Sequence, residues 1–497
     1  MTLAGTQPAP SDGGAFADRV RSAVAWRWGT QAVGQVITWG TTILVVRLLD
    51  PADYGLYALT QVVISAFNFL NGYSFATSLI HAREVDDRRL GQVLGMLILA
   101  NGTLAGLQLL IAPLAADYYN QPMVADMLRV QALVFLTTPL VALPSAMLAR
   151  GLRFRSQGLV TLGGAVIGGL TALIMALNGY GVWALVWAPI AGFGSRGIGL
   201  MIVAGGLVRP VFDFRGCREI MGFGLALTLC QLFWVVQSQA DIFIAGRHLD
   251  VHDVGLYSEA LFLALIFTGR FLPPLNDVAF PAYAELLKRG EPIGGAFLAG
   301  TRMIMLVTTP LYIGMSLTAG PLVETVFGPK WLEMAPLLAG LALAMPAMAL
   351  QIVCSPATNA LGRPSIYLAS SICGAAIMPA CFLIGVHTGN TGLVTAWQVG
   401  APLLLAATLA LTLPTIDVRL FDLLRALVPA AVGCALMAAI VSLVDNALPP
   451  MAPFVHLMLL SAIGAAAYAG ALLLLWPSLV RQTWDMIVRR RPPAAAA

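Results

Sequence analysis

The chain has 497 residues, of which 59% are hydrophobic and only 10% charged, with a mean hydropathy of +0.83 and a formal net charge of +4. Soluble domains carry about a quarter charged residues, so most of this chain is expected in lipid, and its small positive charge requires no nucleic-acid partner. Stretches such as Leu97–Leu114 and Leu457–Leu475 are apolar on every face, which excludes barrel strands of ~10 alternating residues and selects helices of ~20 residues, the length that crosses a hydrocarbon core.

The N-terminal segment, residues 1–18, is polar and rich in Pro and Gly, without the basic start and apolar core of a cleavable leader, and is expected to be a cytoplasmic arm. About fourteen spans then follow. The first (about 27–46) opens with Arg27, and the second (about 56–80) carries Asn68 and Asn71, with His81 at its end. Those two asparagines serve either as interhelical hydrogen bonds or as sugar contacts. Arg27 either snorkels to the headgroups or faces a ligand. The third and fourth spans (about 92–115 and 127–149) are apolar, and the fifth (about 158–178) has a glycine series, Gly163, Gly164, Gly168 and Gly169, that suits close helix packing. Arg196 lies inside the sixth (about 181–204).

In the seventh span (about 220–244), Trp234, Gln237 and Asp241 share a helix face. Asp241 either titrates as a coupling carboxylate or pairs with an arginine. The eighth (about 256–280) holds Glu259, Arg270 and Asp277, at separations of 11 and 7 residues that put all three on one stripe. Ionisable groups inside spans are costly and mark a cavity or an ion path by default, although Glu259 and Arg270 also suit ion pairs with other helices. Pro273 and Pro274 follow Arg270 directly, freeing carbonyls and permitting a kink. Arg302 opens the ninth span (about 297–319), with the same two readings as Arg27. The tenth to twelfth (about 332–353, 365–386, 392–413) are apolar, and the last two (about 426–444 and 455–476) are expected at the periphery, with a cytoplasmic tail at 481–497.

Basic residues in the connections alternate. Arg19 and Arg21, Arg83 with Arg88 and Arg89, Arg150 to Arg155, Arg209 to Arg218, Lys288 and Arg289, Arg363, Arg419 and Arg425, and Arg481 with Arg489 to Arg491 fall on one side. The other side has only Arg47, Arg129, Arg247 and Lys330. By the positive-inside rule both termini are cytoplasmic and the number of spans is even. The six cysteines include no CxxC pair, so no metal, cofactor or disulfide framework is expected. The connections are short, leaving no room for the catalytic loop that a membrane glycan polymerase or ligase needs. No catalytic residue is expected, and the chain reads as no enzyme.

The chain also repeats itself. Arg47-Leu-Leu-Asp50-Pro-Ala-Asp53-Tyr-Gly55-Leu56-Tyr57 returns as Arg247-His-Leu-Asp250-Val-His-Asp253-Val-Gly255-Leu256-Tyr257, with seven identities at an offset of 200. Six spans separate the copies, so the repeats are parallel. The expected fold is an all-α integral membrane protein with two six-helix lobes, 19–208 (spans 1–6) and 209–414 (spans 7–12), a cavity between them, and two further spans in 415–480. The repeated turn itself reads as a capping turn, with Asp at N-cap distance and a tyrosine for the membrane interface.

The turn at Arg47–Tyr57, its echo at Asp241–Tyr257 and the run Pro273-Pro274-Leu-Asn-Asp-Val-Ala-Phe-Pro281-Ala282 resemble the polysaccharide-transporter (Wzx-type) branch of the MOP flippase superfamily. The resemblance spans the chain. It implies a bacterial inner-membrane flippase for undecaprenyl-diphosphate-linked oligosaccharide, working by alternating access of two lobes. Its partners would be membrane lipids, a coupling proton or sodium ion, and polysaccharide polymerase or export machinery. The alternative within the superfamily is a lipid II flippase or a small-molecule or ion antiporter. The substrate-binding candidates are Arg270, Glu259, Asp241, Gln237, Arg27, Arg196, Arg302, Asn68 and Asn71. The alternation of basic loops predicts that cysteines placed near Asn178 and Asp445 are labelled by an impermeant reagent in intact cells, whereas those near Arg153 and Arg215 are not. Labelling at position 153 would sink this topology.

Overall fold

A computed structural model describes residues 13–481 apart from 69, 72–74, 77–78, 80–85, 152, 207 and 214–217, and only the backbone at 13–25, 27 and 218–232. Most of the N-terminal arm, the C-terminal tail, His81 and the Arg27 side chain lie outside the described residues. The described residues are almost wholly helical, with no strand among them. In chain order the helices are α1 (Gly13–Leu48), α2 (Pro51–Asn68), α3 (Asp87–Tyr119), α4 (Pro122–Gln131), α5 (Leu133–Arg150), α6 (Phe154–Leu177), α7 (Trp183–Ala204) and α8 (Arg218–His248). They continue as α9 (Val251–Lys288), α10 (Gly294–Leu317), α11 (Ala319–Val326), α12 (Ala335–Ala360), α13 (Pro364–Gly385), α14 (Gly389–Thr412), α15 (Leu420–Ala447) and α16 (Pro453–Leu475).

Among the described residues, 10 helical stretches are long and apolar enough to cross a membrane, one of which, 364–415, contains both α13 and α14. The first and seventh expected spans fall within α1 and α8, for parts of which only the backbone is described, and the second overlaps α2 and continues into residues that are only partly described. Large apolar side chains project outward, with Leu474 83%, Ile384 77% and Ile202 75% exposed. A soluble protein does not present so much apolar surface; lipid is the medium that accepts it. Many helices contain proline, such as Pro113, Pro189 and Pro310, as membrane helices allow.

The helices form two compact units, one of residues 1–50 and 59–231, the other of 51–58 and 232–497. In the first unit, α6 is the centre of a three-helix layer with α1 and α7. Its glycines allow this: a Cβ on Gly158 would press on Thr30 of α1, and one on Gly164 would stand 2.9 Å from the Gly192 carbonyl oxygen of α7. The expected packing role of the glycine series holds at Gly164, Gly168 and Gly169, whereas Gly163 meets nothing. A second group in the unit packs Val93, Leu94 and Leu97 of α3 on Ala142, Leu143 and Ala146 of α5. The strand-like segment after α7 returns along α3, where Val211 N–H donates to the Gly91 carbonyl (2.8 Å) and Arg88 pairs with Asp213 (3.0 Å).

In the second unit, Leu272 of α9, Phe297 and Met305 of α10, Ala349 and Val353 of α12 and Leu423 of α15 share one core. Helices α15 and α16 attach to α10 and α11 through Met437, Val441 and Leu460 packed with Ile313 and Leu317, and Tyr468 donates a hydrogen bond to the Leu306 carbonyl at 2.8 Å. Helix α9 runs unbroken past Pro273, Pro274 and Pro281.

The repeated turn meets its own copy in this unit. Asp250 caps α9, its side chain accepting from the Asp253 N–H at 2.8 Å, as the sequence predicts. The glycine does more than enter a helix. A Cβ on Gly55 would overlap the Val251 carbonyl oxygen, and a Cβ on Gly255 would overlap that of Pro51. The two helix starts therefore touch backbone to backbone, with equivalent residues exchanged. The repeat tyrosine also differs from its expected interfacial place, since Tyr257 is fully buried. Gly55→Ala and Gly255→Ala should each destabilise the protein, since overpacking costs ~1–3 kcal/mol. Gly314→Ala, in open space, should not. Equal melting temperatures for all three variants in one detergent would show that the contact is dispensable.

Candidate functional site

Two polar constellations stand out, one in each unit. In the second unit, α8 places Asp241 against the start of α9. The Tyr257 hydroxyl donates to Asp241 Oδ2 at 2.9 Å, the Trp397 indole N–H of α14 donates to the Tyr257 oxygen at 2.8 Å, and the Ile242 N–H donates to Asp241 Oδ1 at 2.8 Å. Asp241 is 1% exposed. Of the two expected roles, pairing with an arginine is not seen among the described residues; a tyrosine and a backbone amide hold the two oxygens instead. Asp241 and Gln237 do share a face of α8, and the Gln237 carboxamide lies against Gly374 of α13, where a Cβ would collide with it.

The stripe on α9 separates along its length. Glu259 lies within electrostatic range of Tyr54 and Tyr57. Arg270 and Asp277 are exposed on the helix surface, with no ion pair among the described residues. Prolines at 273 and 274 cannot donate to the carbonyls four residues before them, so those of Gly269 and Arg270 lack helical partners. On α10, Arg302 has a buried Nε without a hydrogen bond.

In the first unit, a pocket of ≈ 350 Å³ opens among α1, α6 and α7, lined by Gln31, Gln35, Thr38, Phe154, Gln157 and Arg196, with Thr30 and Thr161. Gly164 lets Arg196 approach α6, its hypothetical Cβ lying 3.0 Å from that of the arginine. The Arg196 Nε is buried and unpartnered. Nearby, the Arg155 guanidinium lies 4.9 Å from the Trp26 ring centroid, a cation–π arrangement. Asn68 is exposed at the end of α2, and the Asn71 backbone carbonyl accepts from the buried Asn101 at 2.9 Å.

The structure thus brings Arg196 into a pocket and Asp241 into a buried network; Arg270 and Arg302 take no part in that network, and Asn68 does not line the pocket. The sequence reading missed Gln31, Gln35 and Gln157. A signal was present, since Gln31, Gln35 and Thr38 recur at i, i+4 and i+7, and Gln157 and Thr161 at i and i+4. It missed Trp397 for want of any local cue. Among the described residues no cluster of three metal-ligating side chains is found.

Apolar helices, an exposed apolar surface and internal polar groups define a multi-pass helical membrane protein. The sequence profile of the family described as "Polysaccharide biosynthesis protein" matches residues 44–336, and this chain belongs to that family. It is similar to the succinoglycan biosynthesis transport protein ExoT of Rhizobium meliloti (strain 1021), 23% identical over 462 residues, covering 92% of this chain and 93% of that one. It is also similar to the lipopolysaccharide biosynthesis protein WzxC of Escherichia coli (strain K12), 22% identical over 320 residues, covering 63% of this chain and 64% of that one. Among solved structures, the lipid II flippase MurJ in an inward closed conformation shares the fold, with a TM-score of 0.74 at 12% identity over 91% of this chain and 99% of that one. The expected resemblance to polysaccharide transporters holds in sequence, and the fold is shared with that lipid II flippase.

Tyr257 is the hub of the network around Asp241. Tyr257→Phe leaves a buried carboxyl oxygen and a buried indole N–H without partners, each at ~1–3 kcal/mol. Trp397→Phe keeps the tyrosine–aspartate bond. The expected order of thermal stability in detergent is wild type, Trp397→Phe, then Tyr257→Phe; a reversed order for the two variants would refute the hub assignment.

Proposed function

We propose that this protein is a flippase that carries lipid-linked oligosaccharide repeat units, held on undecaprenyl diphosphate, from the cytoplasmic to the outer face of the bacterial inner membrane by alternating access. One observation supports this most. Arg196, Arg270 and Arg302 stand within apolar helices without an ion pair among the described residues, in a chain whose whole length is similar to a succinoglycan transport protein. Unpaired guanidinium groups inside a membrane are costly unless an anion reaches them, and the fork of arginine suits phosphate oxygens. A carrier of cationic drugs would place carboxylates there instead.

The reading places both termini in the cytoplasm, assigns no bond-making chemistry, and gives Arg270 the diphosphate, with Arg27 and Arg302 as further basic contacts. Coupling to a proton or sodium ion, and delivery of the product to a polymerase or export assembly, complete it. A deletion strain should accumulate lipid-linked repeat units and lose surface polymer. Accumulation of a cell-wall precursor instead would favour the lipid II reading. Arg270→Ala should abolish export while the inserted, monodisperse protein stays at wild-type level, and Arg270→Lys should retain part of the export. A structural ion pair would behave differently, because removing one partner typically costs ~3–5 kcal/mol and expression would fall. Normal export by Arg270→Ala, or loss of folded protein in step with activity, would rule the assignment out.

A further inference from the structure

The pocket of the first unit has a chemistry of its own. Three glutamines, Gln31, Gln35 and Gln157, line it and make no hydrogen bond to a described residue. The hydroxyls of Thr30, Thr38 and Thr161 donate to carbonyls of their own helices, to Trp26 (2.7 Å), Gly34 (2.8 Å) and Gln157 (2.9 Å). The lone pairs of Thr38 and Thr161 are what these two leave for a ligand. The described residues of the pocket therefore offer amide N–H donors, amide oxygen acceptors and hydroxyl acceptors, together with the Arg196 guanidinium. Polar groups left unmatched in an apolar setting are costly, and a ligand of matching character relieves that cost.

The donor set discriminates among ligands. Among the described lining residues there is no Asp or Glu, so a cation finds no counter-charge in them. A diphosphate finds there one described cation, Arg196, among neutral acceptors whose lone pairs repel it. A sugar suits the amides, because each of its hydroxyls both donates and accepts. The volume of ≈ 350 Å³ is at the low end for ligand sites, ~300–1,000 Å³, which suits one pyranose with a substituent rather than a whole repeat unit. Phe154 supplies an apolar face for the ring. Arg196 is left to take an anionic substituent, and its fork matches a carboxylate.

The pocket also has a definite depth. On α6 it draws on Phe154 to Ala165, the first turns of the helix, and on α7 it draws on Arg196, eight residues before Ala204 and so ~12 Å from that end. Both ends are cytoplasmic in the orientation proposed above. The pocket is thus on the side from which the substrate is loaded.

We infer that this pocket is a sugar subsite specific for a carboxylate-bearing residue of the transported oligosaccharide, a uronic acid or an equivalent acidic sugar, with Arg196 holding the carboxylate and Gln31, Gln35 and Gln157 the hydroxyls. The inference rests on the flippase reading and adds to it the class of glycan. The test uses the full chain in lipid nanodiscs with soluble probes: a glucuronate-containing trisaccharide, its neutral glucose counterpart, a sugar phosphate of similar size, and inorganic phosphate. Wild type should bind the uronate probe at least about tenfold more tightly than the neutral one and than either phosphate. Arg196→Gln should bring the acidic and neutral probes within about twofold of each other, Arg196→Lys should keep part of the preference, and Gln157→Leu should weaken both probes alike. Equal binding of acidic and neutral probes by wild type, a preference retained in Arg196→Gln, or tighter binding of the phosphates would overturn it. If Arg196→Gln does not yield folded protein, Arg196→Lys and Gln157→Leu decide, and an unchanged uronate preference and affinity in both would overturn it equally. The deletion strain separates the two layers: without accumulated lipid-linked units the flippase reading fails, whereas accumulation together with full rescue by Arg196→Gln sinks only the subsite.

Discussion

Two glycines without side chains set the frame of the second unit. At Gly55 and Gly255 the starts of α2 and α9 meet so closely that any Cβ would enter the opposing carbonyl, and each glycine faces the residue equivalent to its partner's neighbour, Val251 or Pro51. This reciprocity is what a two-fold relation between repeats produces. It explains why the repeat is strongest in this turn: close backbone contact tolerates only glycine, and the caps and apolar neighbours must follow in register. The same contact brings residues 51–58 into the second unit. Tyr54 then stacks edge-on against the buried Trp331 at 5.4 Å, and Glu259 comes within electrostatic range of Tyr54 and Tyr57.

A membrane interior makes hydrogen-bond satisfaction a guide to role. The carboxyl of Asp241 has partners for both oxygens, and the tyrosine and tryptophan that serve it are themselves paired. Such a completed network holds α8, α9 and α14 in one arrangement. In the pocket of the first unit the Arg196 Nε is buried without a partner, and amides that are exposed or half-buried line open volume. Buried polar groups are normally hydrogen-bonded, so the completed network serves the protein itself, whereas the Arg196 guanidinium keeps capacity for something that enters.

The membrane class, the helical architecture and the repeat itself were legible because each rests on local pattern: run length, charge alternation, and a motif recurring at a fixed offset; that the two copies of the turn meet was not. The candidate site was legible only in part. A helical wheel puts Glu259, Arg270 and Asp277 on one stripe, yet Glu259 and Asp277 are 18 residues apart, ~27 Å along the axis. A shared face is therefore not a shared site. Tyr257 and Trp397 meet across 140 residues, a pairing no local spacing encodes. The spacing of Gln31, Gln35 and Thr38 on α1 and of Gln157 and Thr161 on α6 marks a polar face on each helix, but only the packing of the two helices on one glycine-bearing face brings those faces together.

That packing links the glycine pattern of α6 to the polar pocket. Gly164 and Gly168 draw α7 in until the backbone of Gly192 is in contact, while Gly158 and Gly169 admit Thr30 and Thr41 of α1 on the other side. Helices held this close at several points along their length leave little freedom to collapse around the larger side chains between those points. Residues Gln31, Gln35 and Gln157 therefore line open volume, and Arg196, whose Cβ is 3.0 Å from where that of Gly164 would be, has its stem fixed against α6. A guanidinium on a fixed stem, beside amides on rigid helices, loses little conformational freedom on meeting an anion. The glycines that read as simple packing in the sequence thus also preorganise a pocket lined by polar groups.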